Sequence, residues 1–258
     1  MKRQSHRLSW TLSCLLNNGM TTGAMLAVLL IGMEQHVAAD PPTVAPPSKV
    51  MKKTAQAAAP ISQPGIEWRS LFDGQDLGSW KSTPFGGEGD VVVDKGSIRI
   101  AMGSDMSGIT WSGEFPQQNY EFALDAQRIE GNDFFCGLTF PVGENPCSLI
   151  VGGWGGGVVG LSSIDGHDAA NNQTSLCLEF EKSRWYAVRI CVTSERIECF
   201  LDDKKVIDQP LTNHTLSIRD EVTLSKPLGI ATYATTAGLK NIRWRPLPTA
   251  NSNGLEKP

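Results

Sequence analysis

Residues 119–130 read NYEFALDAQRIE and carry the clearest strand pattern in the chain. Apolar side chains occupy every second position from Tyr120 to Ala126, and polar residues such as Asp125 and Gln127 lie between or beyond them. A period of two predicts a β-strand with one face against a core and the other in water. The stretch therefore predicts a sheet that is buried on one side, with Asp125 on the other side.

Many other short runs have the same character. They are rich in β-branched and aromatic residues and are separated by Gly, Asp, Asn or Pro turns. The runs are 90–94, 97–101, 134–140, 148–151, 158–164, 175–180, 184–193, 196–201, 204–208, 228–233 and 238–245. No segment shows a sustained helical period. The pattern predicts an all-β protein with the architecture of an antiparallel jelly-roll β-sandwich.

The chain divides into four segments. Residues 1–39 have a basic start, a short apolar core and small residues before Asp40, which predicts a signal peptide cleaved after Ala39. Residues 40–63 are rich in Pro and Ala and predict a disordered linker. Residues 64–247 form the predicted β-sandwich domain, and residues 248–258 the flexible tail.

The signal peptide predicts a secreted or periplasmic protein. No stable membrane span is expected after its removal, because the apolar core is too short to cross a bilayer comfortably. An uncleaved leader that anchors the protein to the membrane is the alternative.

The folded part of the chain is acidic. Residues 64–258 contain 17 Lys and Arg against 25 Asp and Glu, a net charge of −8. Such a surface repels phosphate backbones, so nucleic acid is not an expected partner. Five cysteines follow the predicted leader. Cross-strand disulfides at Cys136/Cys147 and Cys191/Cys199 and buried free thiols are both open interpretations.

A glycine-rich stretch, Gly152–Gly157, surrounds a single indole at Trp154. Glycines in a strand pattern mark a bulge or a place where a ligand or another backbone comes close. One interpretation makes Trp154 a platform for the flat face of a sugar. The other has the glycines turn a corner while Trp154 fills the core.

An acid/imidazole cluster follows on a loop, with His167 between Asp165 and Asp168. His167 is the candidate for proton transfer, with Asp165 or Asp168 orienting it. A solvated loop histidine is the competing interpretation. Asn171 and Asn172 add hard oxygen ligands of the kind Ca²⁺ binds. Their spacing matches no calcium loop, so a divalent metal such as calcium is a secondary expectation.

Three parts of the sequence together resemble the 3-keto-disaccharide hydrolase domain family. They are Leu71–Trp80, which reads LFDGQDLGSW; Trp185–Tyr186, on the run that leads to Ile207–Asp208; and Gly229–Ile230 with Lys240–Arg243. The resemblance covers nearly the whole folded region. It implies a concanavalin A-like lectin/glucanase sandwich, an exported protein and a role with carbohydrates.

The resemblance also implies a chemistry. A glycoside oxidised at carbon 3 can lose its leaving group by elimination, which needs a base and a group that polarises the ketone. Family members often carry an Asn-Ser-Gly segment that ends in arginine, followed by a Glu/Gln pair. Here Asn132 matches, whereas the arginine and the pair do not.

The expected function is hydrolysis of 3-keto-disaccharides or other glycosides. A non-catalytic, lectin-like carbohydrate-binding module is the alternative, and a structural surface protein is a third. Conventional hydrolysis would need two carboxylates across a groove. The candidate substrate-binding residues are Trp154, Asp125, Asn132, Asp133 and Glu144.

Overall fold

The computed structural model describes residues 67–248 of the chain. The predicted signal peptide, the linker and the tail beyond residue 248 lie outside the described residues. Within residues 67–248, no helix has the length and apolar composition needed to cross a bilayer.

The described part of the chain is built from fifteen strands and one short 3₁₀ helix. Their bounds are β1 Arg69–Ser70, β2 Trp80–Ser82, β3 Val91–Asp94, β4 Ser97–Ile100, β5 Met106–Trp111, β6 Tyr120–Gly131, β7 Cys136–Val142, β8 Asn145–Gly153, β9 Val158–Ser162, β10 Leu176–Cys177, β11 Tyr186–Val192, β12 Arg196–Leu201, β13 Lys204–Pro210, the 3₁₀ helix Asp220–Ser225, β14 Gly229–Tyr233 and β15 Thr235–Pro246.

The strands form two antiparallel sheets that pack face to face. The eight-stranded sheet has the order β13-β12-β11-β6-β15-β4-β3, with β1 paired to β15. The seven-stranded sheet has the order β10-β9-β8-β7-β14-β5-β2. The predicted antiparallel β-sandwich is therefore confirmed.

The strand with the period-two pattern, β6, lies in the middle of the eight-stranded sheet between β11 and β15. Its predicted apolar face is buried: Tyr120, Phe122 and Ala126 have no exposed surface and Leu124 is 1% exposed. The Tyr120 hydroxyl donates a 2.6 Å hydrogen bond to the Pro141 carbonyl on β7. β6 therefore joins the two sheets through both packing and a polar contact.

The opposite face of β6 is less wetted than its sequence predicts. Glu121 is only 5% exposed, because Arg189 and Arg245 from the flanking strands both form ion pairs with its carboxylate. Arg189 also covers the Phe200 ring, with 3.7 Å between the guanidinium carbon and the ring centroid. Long arginine side chains cover a sheet surface in this way while keeping their charge paired. Asp125, farther along the same face, remains partly exposed.

Several of the predicted strands have different bounds in the structure. β7 and β8 continue through the expected proline-rich turn, with Pro141 opposite Pro146, and the chain reverses at Gly143, whose φ is +62°. The expected strand 175–180 is reduced to the two residues of β10.

Of the two interpretations of the cysteines, the cross-strand disulfides at Cys136/Cys147 and Cys191/Cys199 are wrong, because all four cysteines are free thiols. Cys191 pairs with Glu198 and Cys199 with Ile190, so this pair is offset by one residue and the side chains leave opposite faces of the sheet. Burial raises the pKa of the Cys136 and Cys147 thiols to about 12. These thiols are therefore protonated at neutral pH and unreactive.

Candidate functional site

A groove of about 650 Å³ lies on the outer face of the seven-stranded sheet. Strand alternation builds its floor: Leu149 and Val151 of β8 enter the core, whereas Ser148 and Ile150 line the groove. The lining residues are Asp105, Met106, Asp133, Phe134, Ser148, Ile150, Trp154, Gly155, Ser162, Arg219, Glu221, Val222 and Tyr233.

Aromatic rings form one wall of the groove. Phe134 and Tyr233 are stacked, with ring centroids 6.0 Å apart and planes inclined by 24°. Tyr233 is 39% exposed. Trp154 is partly exposed and packs with Phe134 against a small apolar cluster around Ile150. A ring that is packed on one side and open on the other presents a flat apolar surface to a ligand.

The glycine-rich stretch bends around a buried arginine. Arg128 is 5% exposed, and its guanidinium donates hydrogen bonds to the carbonyls of Asp133, Gly152 and Gly156 at 3.2, 3.1 and 2.8 Å. Burial lowers the pKa of this guanidinium. A Cβ at Gly152 would lie 2.5 Å from Arg128 Nη2. The glycine is therefore required by the close approach of the arginine, and not only by its φ of +79°.

Asp133 fixes the other side of the same loop. Its Oδ1 accepts the N–H of Phe134 at 2.8 Å and its Oδ2 accepts the N–H of Gly155 at 2.9 Å. The Thr235 hydroxyl donates to the Asp133 carbonyl at 3.0 Å. These bonds hold Phe134 and the segment around Trp154 at a fixed separation.

The opposite wall contains an ion-pair network at the start of the 3₁₀ helix. Arg219 donates to both carboxylate oxygens of Glu221, at 2.8 and 3.3 Å, and to Asp168 Oδ2 at 3.3 Å. The hydrogen bonds from Arg219 hold the pKa of Glu221 below its usual value. Asp168, a predicted catalytic residue, thus contacts a groove-lining arginine without lining the groove itself.

Asp165 and His167 occupy an exposed loop beside this wall. Asp165 Oδ1 accepts the Thr215 N–H at 2.8 Å, and its Oδ2 lies 2.7 Å from His214 Nδ1. Its histidine partner is therefore His214 and not the expected His167. The His167 backbone pairs with Ile164, and its imidazole makes no hydrogen bond within residues 67–248. Neither Asp165 nor His167 lines the groove.

The predicted substrate-binding residues separate into two sets. Trp154 and Asp133 line the groove. Asn132 is exposed in the loop before Asp133 and is not part of the lining. Asp125 lies on the eight-stranded sheet, where it accepts a 2.6 Å hydrogen bond from Asn241, and Glu144 lies in the turn at the far end of β8 from Trp154. Any sugar-binding role of these three residues stays a prediction.

Several groove residues were not identified from the sequence. Asp105, Arg219, Glu221 and Tyr233 come from parts of the chain that only the sheet order brings together. The sequence did carry a signal for Tyr233. It occupies the same outward-facing alternation of β14 as the small residues Gly229 and Ala231. For Arg128 the sequence pattern was misleading. An arginine on the apolar face of β6 predicts that the strand ends there, and not that the side chain is buried.

Most of the oxygens proposed for calcium already accept hydrogen bonds within the protein. Asn172 Oδ1 accepts hydrogen bonds from the backbone and hydroxyl of Thr174, and Asp168 Oδ1 accepts one from the Asn171 amide. Among the described residues, no group of three or more His, Cys, Asp or Glu side chains is placed to hold a metal ion. Metal binding at this loop stays a prediction.

The Arg128 contacts predict different outcomes for two alanine substitutions in the same loop. Gly155 has a φ of +87° and open space where a Cβ would lie, so Gly155→Ala should lower the free energy of unfolding by about 1–2 kcal/mol through backbone strain alone. Gly152→Ala should lower it by about 1–3 kcal/mol more, because the new methyl group collides with Arg128 and Phe135. Urea unfolding of both variants measures the difference. Equal losses would contradict the role of Arg128.

The Asp165 contacts predict a pH dependence of stability. The Thr215 N–H and then His214 hold the pKa of Asp165 below its usual value, so the folded state favours the charged carboxylate. This stabilisation is present above the unfolded pKa of about 3.9 and is lost as the pH falls through the lower folded value. The stability gap between wild type and Asp165→Asn should therefore shrink below about pH 4.

Thermal unfolding across pH measures this gap. Asp94→Asn is the control, because Asp94 is exposed and its carboxylate accepts no hydrogen bond within residues 67–248. Profiles of wild type and Asp165→Asn that stay parallel in acid would show that the contacts of Asp165 add no stability.

Comparison with solved structures finds one related galectin-like fold and further matches with lower TM-scores. A protein of unknown function with a galectin-like fold from Bacillus subtilis has a TM-score of 0.50 and 10% identity, over 70% of this chain and 96% of that one. The carbohydrate-binding module CBM66 from Bacillus subtilis has a TM-score of 0.44 and 17% identity, over 65% and 95%. The apo Crh5 transglycosylase has a TM-score of 0.49 and 11% identity, over 72% and 85%. At such identities the likeness concerns the fold alone.

Comparison with curated proteins finds no match. A family model does match, over residues 67–245, which is nearly all of the described sandwich. The expected family resemblance is thereby confirmed, and it indicates a carbohydrate-binding or glycosyl hydrolase-like domain. This chain belongs to the family of 3-keto-alpha-glucoside-1,2-lyase-like domains.

Proposed function

We propose that this domain binds a carbohydrate in the groove of the seven-stranded sheet. The observation that carries the proposal is the wall formed by Phe134, Tyr233 and Trp154 beside the carboxylate of Asp133, with the carboxylate of Glu221 on the opposite wall. The apolar C–H face of a sugar ring packs on an aromatic face, and its hydroxyl groups donate hydrogen bonds to carboxylates.

The size and shape of the groove support this proposal. A volume of about 650 Å³ is in the range of sites that enclose a small molecule, and the floor is formed by strands and not by loops. The loop that carries Trp154 is braced by Arg128 and Asp133. Because this loop is already ordered, binding a ligand costs less conformational entropy.

The family match favours a second candidate, cleavage of a glycoside oxidised at carbon 3. A base removes the C2 proton, which the neighbouring ketone acidifies, and an enolate of that ketone forms. As the ketone re-forms, its electrons make the C1–C2 double bond while the bond from C1 to the leaving oxygen breaks, and that oxygen takes up a proton. Water added across the double bond afterwards would complete a net hydrolysis.

The sequence-based assignment for this reaction gives His167 as the base, with Asp165 or Asp168 orienting it. In the groove itself, the carboxylates of Asp105, Asp133 and Glu221 are closer to where a bound sugar would lie. Binding and cleavage therefore make different demands: binding needs the aromatic wall, whereas cleavage needs a base that reaches C2.

Substitutions in the aromatic wall test the binding proposal. Trp154→Ala and Tyr233→Ala should each weaken binding of a glucose disaccharide about 5- to 30-fold, because each removes a stacking surface worth about 1–2 kcal/mol. Calorimetric or NMR titration measures the affinity. Trp185→Ala is the control, because Trp185 lies on the eight-stranded sheet, 4.2 Å from the Lys240 ammonium. Losses of equal size in all three variants would contradict a binding site in the groove.

Product analysis separates binding from cleavage. The full chain is incubated with a disaccharide and with the same disaccharide oxidised at carbon 3, and released monosaccharides are measured. Binding without product supports the non-catalytic module. Product from the oxidised sugar alone supports the lyase-like activity, and full turnover by His167→Ala would then refute the assignment of His167 as the base.

A further inference from the structure

We propose that the groove selects its sugar by charge: it favours amino sugars, accepts neutral sugars and disfavours sugars that carry a carboxylate or sulfate. This inference rests on the proposed function and adds the chemical class of the ligand. It follows from which charges at the groove are already paired and which are not.

The positive charge at the groove is already compensated. Of the residues that line the groove, Arg219 alone is basic. Its guanidinium is held by both oxygens of Glu221 and by Asp168, which lies behind the wall. Three of its N–H donors are engaged in these contacts, and a uronate or sulfate that reaches the others meets the nearby carboxylates of Glu221 and Asp168. The groove therefore offers an anionic sugar no unpaired positive partner.

Two negative charges have unused acceptor capacity. Asp105 is exposed, and within residues 67–248 its carboxylate accepts no hydrogen bond and forms no ion pair. Each oxygen of Asp133 accepts a single backbone N–H, which leaves lone pairs available on both. The carboxylates with acceptor capacity left for a ligand are therefore those of Asp105 and of Asp133, although the buried Arg128 guanidinium partly compensates the charge of Asp133.

The two carboxylates belong to the same end of the groove as the aromatic wall. The Ala234 N–H donates to the Asp105 carbonyl at 3.2 Å, and the next residue, Thr235, holds the Asp133 carbonyl. Both aspartates thus flank the chain that leaves Tyr233. A sugar ammonium placed there meets a carboxylate and an aromatic face together, and both attract a cation.

The remainder of the domain reinforces this preference. Residues 64–258 have a net charge of −8, so a cationic ligand is attracted and an anionic one repelled before contact. Screening by salt weakens this attraction, whereas it leaves the stacking of the ring on the aromatic wall almost unchanged. The two contributions can therefore be separated in one experiment.

The test uses three matched probes: methyl glucoside, methyl glucosaminide and methyl glucuronide. They are titrated against the full chain by NMR at about pH 6, where the amine is protonated and the carboxylates are ionised. Wild type should bind the glucosaminide about fivefold more tightly than the glucoside, and the glucuronide about fivefold more weakly. Both differences should decrease in high salt.

Asp105→Asn is the informative variant, because it removes a charge from a side chain that makes no contact needed for folding. It should lower the ratio of glucosaminide affinity to glucoside affinity, and that ratio, not the glucoside affinity alone, is the readout. Asp203→Asn is the control: Asp203 is exposed in the turn between β12 and β13, on the eight-stranded sheet, and should leave the preference intact.

The outcomes distinguish this inference from the proposed function. If the glucoside binds but the three probes have equal affinities, the charge selection is overturned and sugar binding is left in place. Tighter binding of the glucuronide would do the same. A preference that is equally strong in Asp105→Asn and in high salt would overturn the role of the groove carboxylates. Absence of binding by every probe would overturn both proposals.

Discussion

The buried guanidinium of Arg128 is the constraint on which the groove depends. A charged group that is 5% exposed is stable in a protein only when hydrogen bonds replace its water, and Arg128 forms no ion pair among the described residues. Its three acceptors are backbone carbonyls from the loop before β7, from the last residues of β8 and from the turn that follows β8. The arginine therefore sets the separation of these segments, and the glycines give it room.

This brace explains how a glycine-rich segment can carry a binding surface. Glycines alone would leave Trp154 on a flexible turn, because their backbone has few steric limits. Arg128 on the inside and Asp133 on the outside remove that freedom, and Phe134 follows directly from Asp133. The aromatic wall is thus ordered by polar contacts that do not themselves occupy the groove. The same arrangement leaves carboxylates, and no unpaired cation, facing a ligand.

The sequence predicts the scaffold better than the site, for a physical reason. Alternation along β6 and in the shorter runs depends only on neighbouring residues, so it identifies strands and the sandwich class. The groove depends on register and sheet order: Asp105 on the approach to β5 meets Tyr233 of β14 only because these strands pair. The histidine partner of Asp165 also depends on the fold and not on neighbouring residues. His167 is its neighbour in sequence, whereas His214, from a distant segment, is its neighbour in space.

The most direct test of this account is a crystal structure of the full chain with a bound disaccharide. The account predicts a sugar ring against Tyr233 and Trp154 on the seven-stranded sheet, with its hydroxyl or amino groups near Asp105 and Asp133. The loop around Gly152 should keep its hydrogen bonds to Arg128. A sugar bound instead on the eight-stranded sheet, over Trp185 or Trp68, with the groove filled only by solvent, would contradict it.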